Sequence, residues 1–126
     1  MKTILDVKEI NNTIILATTK NAIHGTSYAV GLANSMREPV LFISTLDDDE
    51  FLDEVTSLSE CSNYPIPSFN KFSEATRIMV LKDLLSFGTY KSVIIDCLYT
   101  ISDDFYAQLD YLATRFKLEN IVIITR

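Results

Sequence analysis

The sequence predicts an α/β domain: a three-layer, open, mainly parallel sheet flanked by helices. Four short apolar runs carry this reading: 13–17 (TIILA), Val40–Ser44 (VLFIS), Ser92–Asp96 (SVIID) and Asn120–Thr125 (NIVIIT). Each is continuous rather than alternating, as in strands buried on both faces of a parallel sheet. Segments with helical spacing separate the runs, which is the rhythm of a sheet covered by crossover helices. The chain has 126 residues, 48% of them apolar, with three Gly and three Pro. That suits one domain over 1–126 with a sizeable core and little disorder.

Taken in order, residues 1–12 add a short strand (3–7) or a helical turn. Helix 26–36 follows the first apolar run, with Tyr28, Val30, Leu32 and Ala33 on its apolar side and small Ala29 and Gly31 permitting close packing. Helix 47–58 opens on Asp47-Asp48-Asp49-Glu50, which suits the positive end of a helix dipole, and carries Phe51, Leu52, Val55 and Leu58. Segment 59–70 contains Tyr64-Pro65-Ile66-Pro67 and reads as an irregular excursion. Helix 73–87 carries Ala75, Ile78, Met79, Leu81, Leu84 and Leu85 and stops at Gly88. Helix Asp103–Phe116 carries Phe105, Leu109, Leu112 and Phe116.

Composition narrows the function. Eleven Lys and Arg stand against 17 Asp and Glu, a net charge of −6 with no basic run. Neutralising nucleic-acid phosphates needs a basic face, so direct nucleic-acid binding is disfavoured and a protein partner is expected. No apolar run approaches the roughly 18 residues of a membrane span. Residues 1–12 mix Lys2, Asp6, Lys8 and Glu9 without an apolar block, so a secretory signal is not expected and a cytoplasmic location is. Cys61, Cys97 and the single His24 have no zinc-like spacing. Cys97, beside an apolar strand, reads as a reduced core thiol.

In open α/β sheets, ligands bind beyond the carboxyl ends of the strands. The first strand runs into 18–27 (TTKNAIHGTS) and then a helix. This is where a phosphate loop, G-x-x-x-x-G-K-[ST], would wrap phosphates with backbone amides. The stretch 14–33, IILATTKNAIHGTSYAVGLA, resembles the Walker A region of RecA-like ATPases, most of all the DnaB-type replicative helicases. VLFIS followed by Thr45-Leu46-Asp47 resembles their second strand, which makes Asp47 a candidate catalytic acid. Segment 92–101, SVIIDCLYTI, resembles their Walker B segment, with Asp96 as its acid. The tail, 112–126, resembles their helix and sensor strand, with Arg126 where glutamine is usual. The resemblance implies a RecA-like P-loop NTPase fold and a vestigial nucleotide site at Lys20, Thr26, Ser27 and Asp96. Thr26 and Asp96 are then its magnesium candidates.

The loop departs from that pattern where phosphate is held. Its first glycine falls on Thr19, its second on His24 and its lysine on Gly25; Thr26 alone keeps the hydroxyl, with Ser27 after it. The lost lysine removes a charge-assisted contact of about 1.5–3 kcal/mol. A histidine adds bulk where a glycine lets backbone approach phosphate. No cofactor is expected beyond weak Mg·ATP. Lys20 lies six residues before Thr26, where MinD/ParA-type ATPases keep a signature lysine, so that family is the second resemblance. Strand order separates the two: a RecA-like sheet places the last strand between the first and the Asp96 strand, whereas a MinD-like sheet makes those two neighbours.

Plainer readings accompany these. Asp96 caps strand-end amides, Asp47 belongs to a solvated helix start, and His24 and Arg126 are exposed. The resemblance implies a non-catalytic pseudo-ATPase domain that binds a protein, a related helicase or recombinase ATPase of replication or recombination, with self-association as in ring-forming relatives. The alternatives are an active ATPase with an atypical loop, and a MinD/ParA-like accessory of partitioning or secretion.

Overall fold

In the computed structural model, residues 5–20, 22–36, 39–45 and 61–125 are described. They form six strands, three α-helices and one 3-10 turn. The order is β1 (Leu5–Glu9), β2 (Ile14–Thr19), α1 (Ala22–Ser35), β3 (Val40–Ser44), β4 (Cys61–Pro65), the turn Pro67–Lys71, α2 (Glu74–Ser86), β5 (Ser92–Asp96), α3 (Asp103–Phe116) and β6 (Asn120–Thr125). One sheet holds all six strands in the order β1-β2-β6-β5-β3-β4. Only β1 is antiparallel, pairing with β2 so that Val7 faces Ala17; the other pairings are parallel. The α/β expectation holds at this level, as a mixed sheet.

Continuous apolar runs become two-faced strands because helices cover both sides. Leu41, Ile43, Val93, Ile95, Ile121 and Ile123 join the core under α2 and α3, with Leu81, Leu85, Leu109 and Leu112. Their neighbours Val40, Phe42, Ile94, Val122 and Ile124 join a second core with Ala29, Val30 and Ala33 of α1. Alternate residues thus feed opposite cores, as the pleat requires. Ala29 and Ala33 of α1, nearly without exposure, bring that helix close to the sheet.

Two caps set the α2–α3 layer. The Ser73 hydroxyl accepts from the Thr76 amide at 3.2 Å, and Ser102 accepts from Phe105 at 3.2 Å. Each satisfies an amide at a helix start, a contribution of about 1 kcal/mol. The Glu74 carboxylate at the head of α2 accepts from both the amide and the hydroxyl of Ser102, tying the two starts together. Helix α3 ends on Lys117 in the left-handed region (φ 56°), its amide turned back to Ala113 and Thr114 carbonyls.

Three expectations change. Segment 59–70 is not wholly irregular: 61–65 is an edge strand held by β3, with Val40 beside Cys61 and Ser44 beside Pro65. Helix α1 begins at Ala22, not at residue 26. The first segment is a strand, as one of the two alternatives had it, and among the described residues it spans Leu5–Glu9, running past residue 7. The helix expected over 47–58 lies outside the described residues, as do Asp47 and Arg126. Among the described residues no helix is long and apolar enough to cross a membrane.

Strand β6 lies between β2 and β5. The first parallel strand and the Asp96 strand are therefore not neighbours, which excludes the MinD/ParA-like arrangement. The order agrees with the one set out for a RecA-like sheet, but strand order alone does not make a phosphate site.

Candidate functional site at the strand ends

The carboxyl ends of β2, β5 and β3 bring Thr26 and Asp96 together, 70 positions apart in sequence. The Thr26 hydroxyl donates to Asp96 Oδ2 at 2.7 Å, and both residues are buried. Asp96 Oδ1 is buried and has no hydrogen-bond partner among the described residues. Loss of water raises the Asp96 pKa from its ordinary 3.8 to about 6, with the Thr26 bond pulling the other way. Lys20 and Ser27 are exposed, and no ion pair joins Lys20 to Asp96 among the described residues.

The connection from β2 to α1 differs from a phosphate loop in length and in packing. Strand β2 runs through Thr19, which is buried, and α1 starts at Ala22, leaving two residues between them. Thr19, placed at the first loop glycine by resemblance, is thus part of a strand. His24, Gly25 and Thr26 lie in the first turns of a helix. Gly25 sits so close to the sheet that a Cβ there would stand 2.9 Å from both Ile124 Cγ2 and Thr19 Cγ2. The helix start therefore rests on the strand end where a phosphate cradle would need an open ring of amides.

A polar network closes the neighbouring strand ends. The Thr45 amide donates to the Asp96 carbonyl at 2.7 Å, and its hydroxyl both donates to the Cys97 carbonyl and accepts from the Cys97 amide at 2.8 Å. The Asn70 side chain donates to the Cys97 carbonyl at 3.0 Å and accepts from the Tyr99 amide at 3.1 Å. Buried Arg77 holds the turn that carries Asn70: Nε donates to the Phe69 carbonyl at 3.0 Å and Nη2 to the Asn70 carbonyl at 2.8 Å. The Cys97 amide and carbonyl and the Tyr99 amide thereby meet side chains of the same chain, while the Asp96 carbonyl and the Leu98 amide meet backbone.

Sequence reasoning missed Thr45, Asn70 and Arg77. A signal exists for Arg77: it precedes Leu81 and Leu85 at intervals of four, on the buried line of α2, while Met79 faces water. For Thr45 and Asn70 nothing in the residue pattern points to a shared contact.

Magnesium takes six oxygens in near-octahedral geometry. Thr26 and Asp96 bring three side-chain oxygens, and no group of three or more His, Cys, Asp or Glu gathers among the described residues. The pair is built as a buried hydrogen bond. Cys97 is a buried free thiol, as expected.

No protein-family model matches the chain, and no curated protein matches it. Among solved structures, the fold is similar to SulA from Pseudomonas aeruginosa, with a TM-score of 0.63 and 11% identity over 90% of this chain and 98% of that one. At this identity the likeness shows the fold. It overturns the RecA/DnaB-like P-loop NTPase reading, and with it the degenerate Walker A, the pseudo-ATPase and the replication or recombination helicase partner: the chain folds like SulA, and the short β2–α1 connection gives the physical reason.

Proposed function

We propose that this chain is a SulA-like domain that acts by binding another protein through its surface, with no part for nucleotide. One observation carries the reading: the strand ends, where an open α/β sheet would take a ligand, are filled by Thr19, Gly25, Thr26, Thr45, Asn70 and Asp96. Recognition then falls to exposed side chains. The α2–α3 layer offers three large apolar ones, Met79 at 64%, Phe87 at 84% and Tyr111 at 62% exposure. Flexible methionine and amphipathic aromatics suit a protein contact, where such residues are enriched. The likeness to SulA spans nearly the whole of that protein, which supports a domain working as a unit.

The test pairs capture with a surface variant. Tagged chain, crosslinked in cells that produce it, is expected to retain a specific protein that is lost with Met79→Glu/Tyr111→Glu and kept with Lys20→Ala, at unchanged melting temperature. Equal capture by the double variant would overturn the choice of face. Saturable Mg·ATP binding in calorimetry, abolished by Asp96→Ala, would overturn the reading itself.

A further inference from the structure

Charge is sorted along the α2–α3 layer. Glu74, Asp103 and Asp104 stand at the helix starts. At the opposite end, where α2 and α3 finish and β5 and β6 begin, Lys91, Arg115 and Lys117 are all exposed. Among the described residues none of these three makes an ion pair. Backbone bonds hold this end together: the Glu119 amide donates to the Lys91 carbonyl at 2.7 Å, and the Lys91 amide to the Pro39 carbonyl at 3.0 Å. Leu85 and Leu118 line one apolar cavity between the helices and the sheet, so the two helices close side by side. Phe87, the C-cap of α2, lies at this same end. At 84% it is the most exposed large apolar side chain among the described residues.

We propose that this end of the layer is a docking site for an acidic segment of another protein, which sets an apolar side chain on Phe87 and carboxylates on Lys91, Arg115 and Lys117. This rests on the protein-binding reading above, and adds which class of segment is taken and at which end of that layer.

Helix stability does not account for the cluster. Cations near a helix C-terminus gain from the dipole, which covers Arg115 and Lys117. It covers neither Lys91, which leads into a strand, nor Phe87, which gains nothing from water. Arg115 is also pre-arranged: its guanidinium carbon stands 5.6 Å from the centroid of the Phe116 ring. A head group already restrained loses less freedom when it takes a carboxylate. Glu119 is exposed here too, so three cations and one carboxylate leave two positive charges at this end. Lys82 and Asp83, further back on α2, offset each other. The whole chain carries −6, so an anionic segment is drawn to this end and repelled elsewhere. Exposed ion pairs contribute little each, and the aromatic anchor adds what the charges lack. Three cations on an acidic chain are too few for a nucleic-acid backbone.

Fluorescence anisotropy on the full chain tests this with labelled peptides of equal length. One is made of Asp and Glu interrupted by Leu and Phe; the second has Ser in place of those apolar residues; the third has Lys in place of the acids. The first is expected to bind, and more weakly as salt rises. The second should bind about tenfold more weakly, and the third not at all. Phe87→Ser and Lys91→Glu/Lys117→Glu are each expected to weaken the first peptide by about tenfold or more, at unchanged melting temperature. Lys8→Glu/Lys20→Glu changes the net charge equally at exposed sites elsewhere and should bind like wild type. Absence of saturable binding by the acidic peptide overturns the proposal. So does equal binding of the Lys peptide, equal loss in the charge-matched control, or tighter binding of a single-stranded oligonucleotide or of phosphatidylglycerol vesicles. Crosslinked capture separates this from the broader reading. A partner lost with Met79→Glu/Tyr111→Glu but kept with Lys91→Glu/Lys117→Glu removes the acidic segment and leaves the protein-binding reading standing.

Discussion

Asp96→Asn is expected to gain stability relative to the wild type as pH rises. The wild-type carboxyl is buried, its Oδ1 has no partner among the described residues, and its pKa is raised from 3.8 to about 6 in the folded state. The folded state then binds the Asp96 proton more tightly than the unfolded chain does, so this group favours folding less as pH rises through that window. A shift of about two units corresponds to roughly 3 kcal/mol of destabilisation once pH is well above the folded value. Asparagine keeps a carbonyl oxygen to accept from Thr26 and removes the charge, at the cost of an unpartnered amide of about 1–3 kcal/mol. That cost does not vary with pH, so the informative quantity is the change in the wild-type–variant gap. Urea unfolding of both proteins at about pH 5 and about pH 8 should show the gap moving by about 1.4 kcal/mol in favour of asparagine at the higher pH. Other titrating groups, including Glu74, whose pKa is lowered mainly by its bonds from Ser102, act alike in both proteins and cancel. A gap that stays flat, or moves the other way, would refute the reasoning that burial governs this carboxyl.

Two further substitutions probe how the strand ends are closed. Gly25→Ala adds a methyl 2.9 Å from both Thr19 and Ile124, so α1 must lift; although alanine favours helix by about 1 kcal/mol, overpacking should prevail with a net loss of about 1–2 kcal/mol in thermal unfolding. If Gly25→Ala is neutral or stabilising, the helix start is not seated as described. Arg77→Leu removes both donors to the Phe69 and Asn70 carbonyls and should cost about 2–4 kcal/mol in urea unfolding. It should also speed hydrogen exchange at the Tyr99 amide, which depends on Asn70. An exchange rate like that of wild type would mean that Arg77 does not position the Asn70 turn.

Much of the scaffold was legible from local pattern. Val40–Ser44, Ser92–Asp96 and Asn120–Thr125 coincide with the apolar runs, because a strand covered on both faces favours apolar residues at successive positions, with buried Asp96 at the end of β5 as the exception. Helix Asp103–Phe116 was equally plain, with Ser102 before it, Asp103 and Asp104 in its first turn and Arg115 in its last. Strand β4 was not: CSNYP has no apolar run and ends in proline, and it is a strand because β3 offers it hydrogen bonds on one side. The start of α1 was misread because a resemblance to a phosphate loop took precedence over the residues themselves. Ala22 to Thr26 hold nothing that forbids helix, and Gly25, which looked like a loosened loop, is the residue that lets helix and strand touch.

By itself the sequence determined most of the strands and helices, β4 and the start of α1 excepted, since burial period and capping chemistry act over a few neighbouring residues. It also set the acidic balance that disfavours a nucleic-acid partner. The tertiary structure alone decided that β6 separates β2 from β5, that Thr26 meets Asp96, and that the start of α1 rests against Thr19 and Ile124. Those outcomes join residues tens of positions apart, and they depend on how closely one helix settles on a sheet. A separation of ångströms is set by the packing of the whole core, and no local pattern encodes it.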